Sequence, residues 1–201
     1  MALVAAAVCP HPPLLVPAVA AGEPVTARAA ALDAVRWLVG FDPDLLVVVG
    51  TGGMTAVYGS ADSGTLAGYG VDVVVPLGPR TCAGQPVLPL SLTVGAWLVR
   101  ATGWPGDRQG YAVELATLPV EAAAAGGQLA GLADRVALLC MGDGTACRGE
   151  RAPGHQDPRA EPFDAAVERA LAAADRAALL ALDPALAGEL LAAGRAAWQV
   201  L

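Results

Sequence analysis

Short apolar runs recur along the chain at Met1 to Val8, Leu45 to Val49, Val71 to Val75, Tyr111 to Leu115 and Arg135 to Cys140. Each is of strand length, and Leu45 to Val49 has no polar face at all, as expected of a central strand buried on both sides. Between them the apolar positions spread to helical spacing. Glu23 to Val39 can bring Val25, Leu32, Val35 and Leu38 to one face, and Gly40 ends it. Pro89 to Arg100 predicts a helix with Leu92, Trp97 and Leu98 inward, and Val120 to Leu132 predicts another. After Arg148 the pattern is helical throughout, with helices expected at Pro162 to Ala173, Arg176 to Leu182 and Pro184 to Gln199. Thr55 to Gly70, rich in Gly and Ser, reads as a long surface loop. Strands alternating with helices predict an α/β fold: a largely parallel central sheet with helices on both faces. No internal repeat or linker interrupts residues 1–201, so a single domain is expected.

Composition narrows the chemistry. The 201 residues are 55% hydrophobic, enough for a substantial core. A net charge of -7 offers no basic stripe for phosphates, which argues against a nucleic-acid partner. All 12 cationic residues are arginine, so lysine-based Schiff-base or general-base chemistry is excluded from this chain. No stretch reaches the roughly 18 uninterrupted apolar residues of a membrane span, and a soluble, cytoplasmic protein is expected. Cys9, Cys82, Cys140 and Cys147 form no C-x-x-C pair and read as reduced thiols rather than a disulfide framework or a zinc site.

The position that stands out is His11, fixed between Pro10 and Pro12 just beyond the first strand, where parallel α/β sheets place their ligands. Gly50-Thr51-Gly52-Gly53-Met54-Thr55 also follows a strand, but Thr55 stands where a dinucleotide fingerprint needs its third glycine, so a tight turn beside a pocket is the better reading. None of the three serines, Ser60, Ser63 and Ser91, lies in a G-x-S-x-G elbow. Cys9 and Cys147 flank strand exits, yet packing as small hydrophobes accounts for Cys9 and no partner motif marks Cys147. Most acidic residues of the last third are expected to be solvated or capping, with Asp164 supporting its own helix. Asp143, between Gly142 and Gly144 at a strand end, is the exception.

Three segments taken in order, Cys9-Pro10-His11-Pro12-Pro13-Leu14-Leu15, Leu46 to Gly53, and Gly142-Asp143-Gly144-Thr145 with Ala152 to Asp164, resemble the class III extradiol ring-cleavage dioxygenase superfamily. The likeness is to its protocatechuate 4,5-dioxygenase beta-subunit and Memo-like branch, especially the short actinobacterial members, and runs over essentially the whole chain. The resemblance implies iron(II) held by a histidine after the first strand, a second after the next strand and a glutamate near the C-terminus, with a further histidine moving protons. His11 matches the first. No histidine stands between Thr51 and Met54, Ala146 occupies the acid-base position, and Glu189 is the candidate carboxylate. Ala193-Gly194 falls where Memo-like relatives carry Cys-Gly.

The expectation is therefore a degenerate member of that superfamily, with a cleft lined by His11, Thr51, Gly52, Asp143 and Thr145, binding a small molecule or a protein partner and needing no cofactor. A rival is an active iron(II) or other divalent-metal enzyme in which His11 and Glu189 are joined by His155 or Asp143. A third is a structural subunit paired with a separate catalytic chain. Trp104 and Tyr58, expected as exposed loop residues, would allow a homo-oligomer.

Overall fold

In the computed structural model, which describes residues 2–79, 84–150 and 152–201, side chains along each central strand alternate between two helical layers. Strand β1 (Ala2–Cys9) turns Ala5, Ala7 and Cys9 one way. They meet helices α2 (Thr26–Val39) and α3 (Leu90–Ala101), which follow a single-turn helix α1 (Pro17–Ala20) in the chain. Strands β2 (Leu45–Gly52) and β7 (Arg135–Met141) add Leu46, Val48, Ala137, Leu139 and Met141 to that layer. Their alternate residues, Val47, Val49, Val136, Leu138 and Cys140, face α4 (Pro119–Ala130) and α8 (Arg195–Val200). Burial on both faces is why these runs show no polar period.

The central sheet has the order β1-β7-β2-β6-β3, with β6 at Asp107–Glu114 and β3 at Ala56–Tyr58. All pairings are parallel except β3 with β6. This is the expected α/β architecture with helices on both faces. No helix among the described residues is long and apolar enough to cross a membrane.

Three local expectations are corrected. The Gly/Ser-rich loop contains β3, which edges the sheet, and β4 (Ser63–Thr65). The third apolar strand expected at Val71 to Val75 is the shorter β5 (Val74–Pro76), which among the described residues pairs with β4 in a separate two-stranded sheet and does not join the central one. Such three-residue pairings are dictated by neighbours in space, and local periodicity does not carry them. The predicted helix from Pro184 to Gln199 is two, α7 (Pro184–Glu189) and α8, parted by a turn in which Leu191 adopts a left-handed φ of 55°. Helices α5 (Ala160–Ala172) and α6 (Arg176–Leu180) pack with α7 and Trp198 in a third apolar cluster. Trp104 and Tyr58, expected to be exposed, are half-buried against the α2–α3 side, and Trp104 also lies under the Arg108 guanidinium, 5.6 Å from ring centroid to Cζ.

Candidate functional site

Strand order fixes where a crevice can open. The chain leaving β1 passes to α2 on one face, and the chain leaving β7 passes to the cluster of α5, α6 and α7 on the other, so these neighbouring strands diverge at their carboxyl ends. Ligands of open α/β sheets bind at such a switch point. His11 and Asp143 stand there, one beyond each strand.

The β1 exit is rigid. Pro10, Pro12 and Pro13 restrict it, and Arg28 of α2 donates from Nε to the Leu15 carbonyl at 2.7 Å and from Nη2 to the Leu14 carbonyl at 3.1 Å. The β7 exit is pinned along its length. Gly142 N–H donates to the Cys9 carbonyl, Gly194 N–H to the Asp143 carbonyl and Ala146 N–H to the Leu190 carbonyl. Gly142 has to be glycine, since a Cβ would collide with the Trp198 indole nitrogen and the Gly194 Cα.

Between these two exits, the Asp143 carboxylate accepts the His11 backbone N–H at 2.8 Å and faces the His11 Nε2 at 3.6 Å. The imidazole is buried and its Nδ1 has no hydrogen-bond partner among the described residues. Burial holds the imidazole below its ordinary pKa, while the Asp143 charge pulls the other way. Neutral His11 is thus the favoured form, and a neutral ring can accept as well as donate a hydrogen bond.

The remaining candidates divide. Thr51 and Gly52 are the last residues of β2, at the same end of the sheet but with β7 between them and β1; the Thr51 carbonyl accepts the Ser91 hydroxyl at 2.7 Å. Thr145 turns to Asp164, donating its N–H at 2.9 Å and its hydroxyl at 2.8 Å. Asp164 therefore anchors the β7 exit instead of supporting its own helix, a role that a separation of 19 residues in sequence does not signal. Glu189 pairs with Arg159 at 2.7 Å, and Arg159 also grips Asp157, holding that half-buried carboxyl down at about 2 through their hydrogen bonds. His155 is exposed in its loop. The structure joins His11 with Asp143 and places Glu189 in a surface ion-pair network.

The thiols play packing roles. Cys9, Cys140 and Cys147 are free and buried, and Cys82 lies outside the described residues. Burial pushes the Cys9 thiol up to about 11 and the Cys140 thiol higher still, so neither is a nucleophile near neutral pH.

The iron(II) centre implied by the resemblance needs two histidines and a carboxylate on one face of the ion. Among the described residues no group of three His, Cys, Asp or Glu side chains is placed to share an ion. The one imidazole at the switch point is joined by a carboxylate already accepting its own backbone N–H. This donor set does not fit that centre. No protein-family model matches the chain, and no curated protein matches it.

Proposed function

We propose that this chain is a degenerate relative of the class III extradiol dioxygenases that binds a small molecule at the carboxyl ends of β1 and β7 and does not open aromatic rings. The observation that carries the reading is the His11–Asp143 pair, seated at the switch point of the sheet with no further metal-ligating side chain beside it among the described residues. Asp143 leaves 36% of its side chain open against 9% for His11, so an incoming molecule meets the carboxylate first. That geometry suits a ligand presenting a hydroxyl or amino donor, with the His11 backbone N–H fixing the carboxylate's orientation and the buried imidazole behind it.

The test is protein reconstituted anaerobically with iron(II), exposed to protocatechuate and oxygen, and followed by the absorbance of the ring-opened product. The expected result is a rate no higher than that of iron(II) without protein. Turnover that disappears in His11→Ala would overturn the proposal.

A further inference from the structure

Beside the switch point lies a cavity of about 280 Å³ between the residue that follows β6 and the turn joining α7 to α8. Its walls are apolar: Leu115, Pro184, Ala187, Leu191 and Ala192 contribute only hydrocarbon side chains. Among the described residues one charged side chain lines it, that of Arg195, which is 2% exposed.

Arg195 is unusual in what it lacks. Its Nη1 donates to the Thr117 carbonyl at 2.6 Å and to the Gln199 Oε1 at 2.9 Å, and its Nη2 donates to the Leu115 carbonyl. A guanidinium has five N–H donors, so these bonds leave two without a protein acceptor among the described residues. More importantly, no carboxylate of the described residues lies within ion-pair distance of it. Asp183 acts on it only at longer range, its carboxylate accepting the Ala185 N–H, and burial outweighs that attraction and lowers the guanidinium's pKa. Neutral acceptors orient a guanidinium but do not cancel its charge, and a buried charge without a counter-ion is costly.

The lip of the cavity is also strained. Leu191, a γ-branched residue with no freedom comparable to glycine, is held at a φ of 55° and half exposed at the cavity. The turn closes α7 through its own bonds, Leu191 N–H to the Gly188 carbonyl and Ala192 N–H to the Ala187 carbonyl, and is tied to the β7 exit through Leu190 and Gly194. Strain of this kind is retained where the surroundings impose it, and it clusters at ligand sites.

We propose that this cavity is a second binding site, for a small carboxylic acid with a short apolar tail, whose carboxylate neutralises Arg195 while the tail fills the apolar walls. A guanidinium and a carboxylate match in charge and in planar geometry, and the hydrocarbon lining excludes a fully polar anion. The site shares its wall with the His11–Asp143 region through Ala192 to Gly194 but uses neither of those residues, so it does not depend on the role given to His11.

Hexanoate and heptan-2-one, its uncharged isostere without a hydrogen-bond donor, are the probes, titrated calorimetrically into the whole chain. Hexanoate is expected to bind at one site per chain and heptan-2-one to bind at least tenfold more weakly. Arg195→Met should weaken hexanoate roughly tenfold or more. Gly188 lines the cavity and a Cβ there meets nothing within 4 Å, so Gly188→Leu is expected to fold, to fill part of the cavity and to weaken hexanoate at least tenfold. His11→Ala should leave hexanoate affinity unchanged. The proposal fails if hexanoate does not bind, if heptan-2-one binds as well as hexanoate, or if Gly188→Leu binds hexanoate like the unaltered chain. The Gly188 variant decides the matter even where Arg195→Met does not fold.

Discussion

The carboxyl edge of the sheet has two unlike halves. Around β1 and β7 the polar groups are close together and bonded to one another: His11 with Asp143, Thr145 with Asp164, and the Asp143 carbonyl with Gly194. Beyond β6 lies a cavity with hydrocarbon walls and the charge of Arg195 in its lining. A ring-cleaving centre needs its metal ligands and its substrate volume at one point, because the reacting atoms must be held in contact. Here the side chains with chemistry and the space for a tail are side by side, joined by the turn between α7 and α8. That separation supports the proposal that the site does not open rings.

The largest expected effect comes from breaking the polar half at its backbone. Gly142→Val drives a side chain into Trp198 and Gly194 and should cost about 3 kcal/mol of stability, read as a lower urea midpoint. A midpoint within error of the unaltered chain would show that the β7 exit is looser than its bonds suggest.

Removing the carboxylate comes next. Asp143→Ala strands the His11 N–H and should cost roughly 1–3 kcal/mol. Asp143→Asn keeps an acceptor and removes the charge, which sharpens the comparison through pH. Burial lowers the His11 pKa in the fold, so the unfolded chain binds the proton more readily. The stability from His11 is therefore complete above the ordinary pKa of 6.5 and is lost as pH falls from there towards the folded value. The Asp143→Asn variant has no charge to oppose burial, so its loss should be steeper, and His11→Ala should remove this contribution. Chemical unfolding at pH 7 and pH 5 measures both.

Thr145→Val removes only the hydroxyl bond to Asp164 and should cost about 1 kcal/mol by the same unfolding measurement. The smallest effect belongs to Glu189→Gln. Its carboxylate sits in an exposed pair with Arg159, so neither the thermal midpoint nor any affinity for iron(II) should change. A loss of metal affinity in this variant would restore Glu189 as a ligand and undo the division between the two halves.

Much of this was legible in the chain. Unbroken apolar runs marked β2 and β7 because strands buried on both faces cannot show a polar period, and the prolines around His11 marked a rigid strand exit. The glycines on either side of Asp143 marked the other exit. What stayed hidden was set by contacts between distant segments. The break at Leu191 is tied to the β7 exit through Leu190 and Gly194, against an alanine-rich sequence that is helical by local preference. Asp164 binds Thr145 across a loop, and Arg195 becomes a buried cation only when the residues following β6 close over it. β3 and β4 are too short for a period to be read from them.

The most direct test of the central claim is an anaerobic calorimetric titration of iron(II) into the unaltered chain and into His11→Ala. No stoichiometric binding is expected in either protein and no difference between them, since His11 and Asp143 alone do not make an iron(II) centre. Binding of one ion per chain in the unaltered protein, abolished by His11→Ala, would contradict that claim and would mean that further ligands assemble around His11 when the metal arrives.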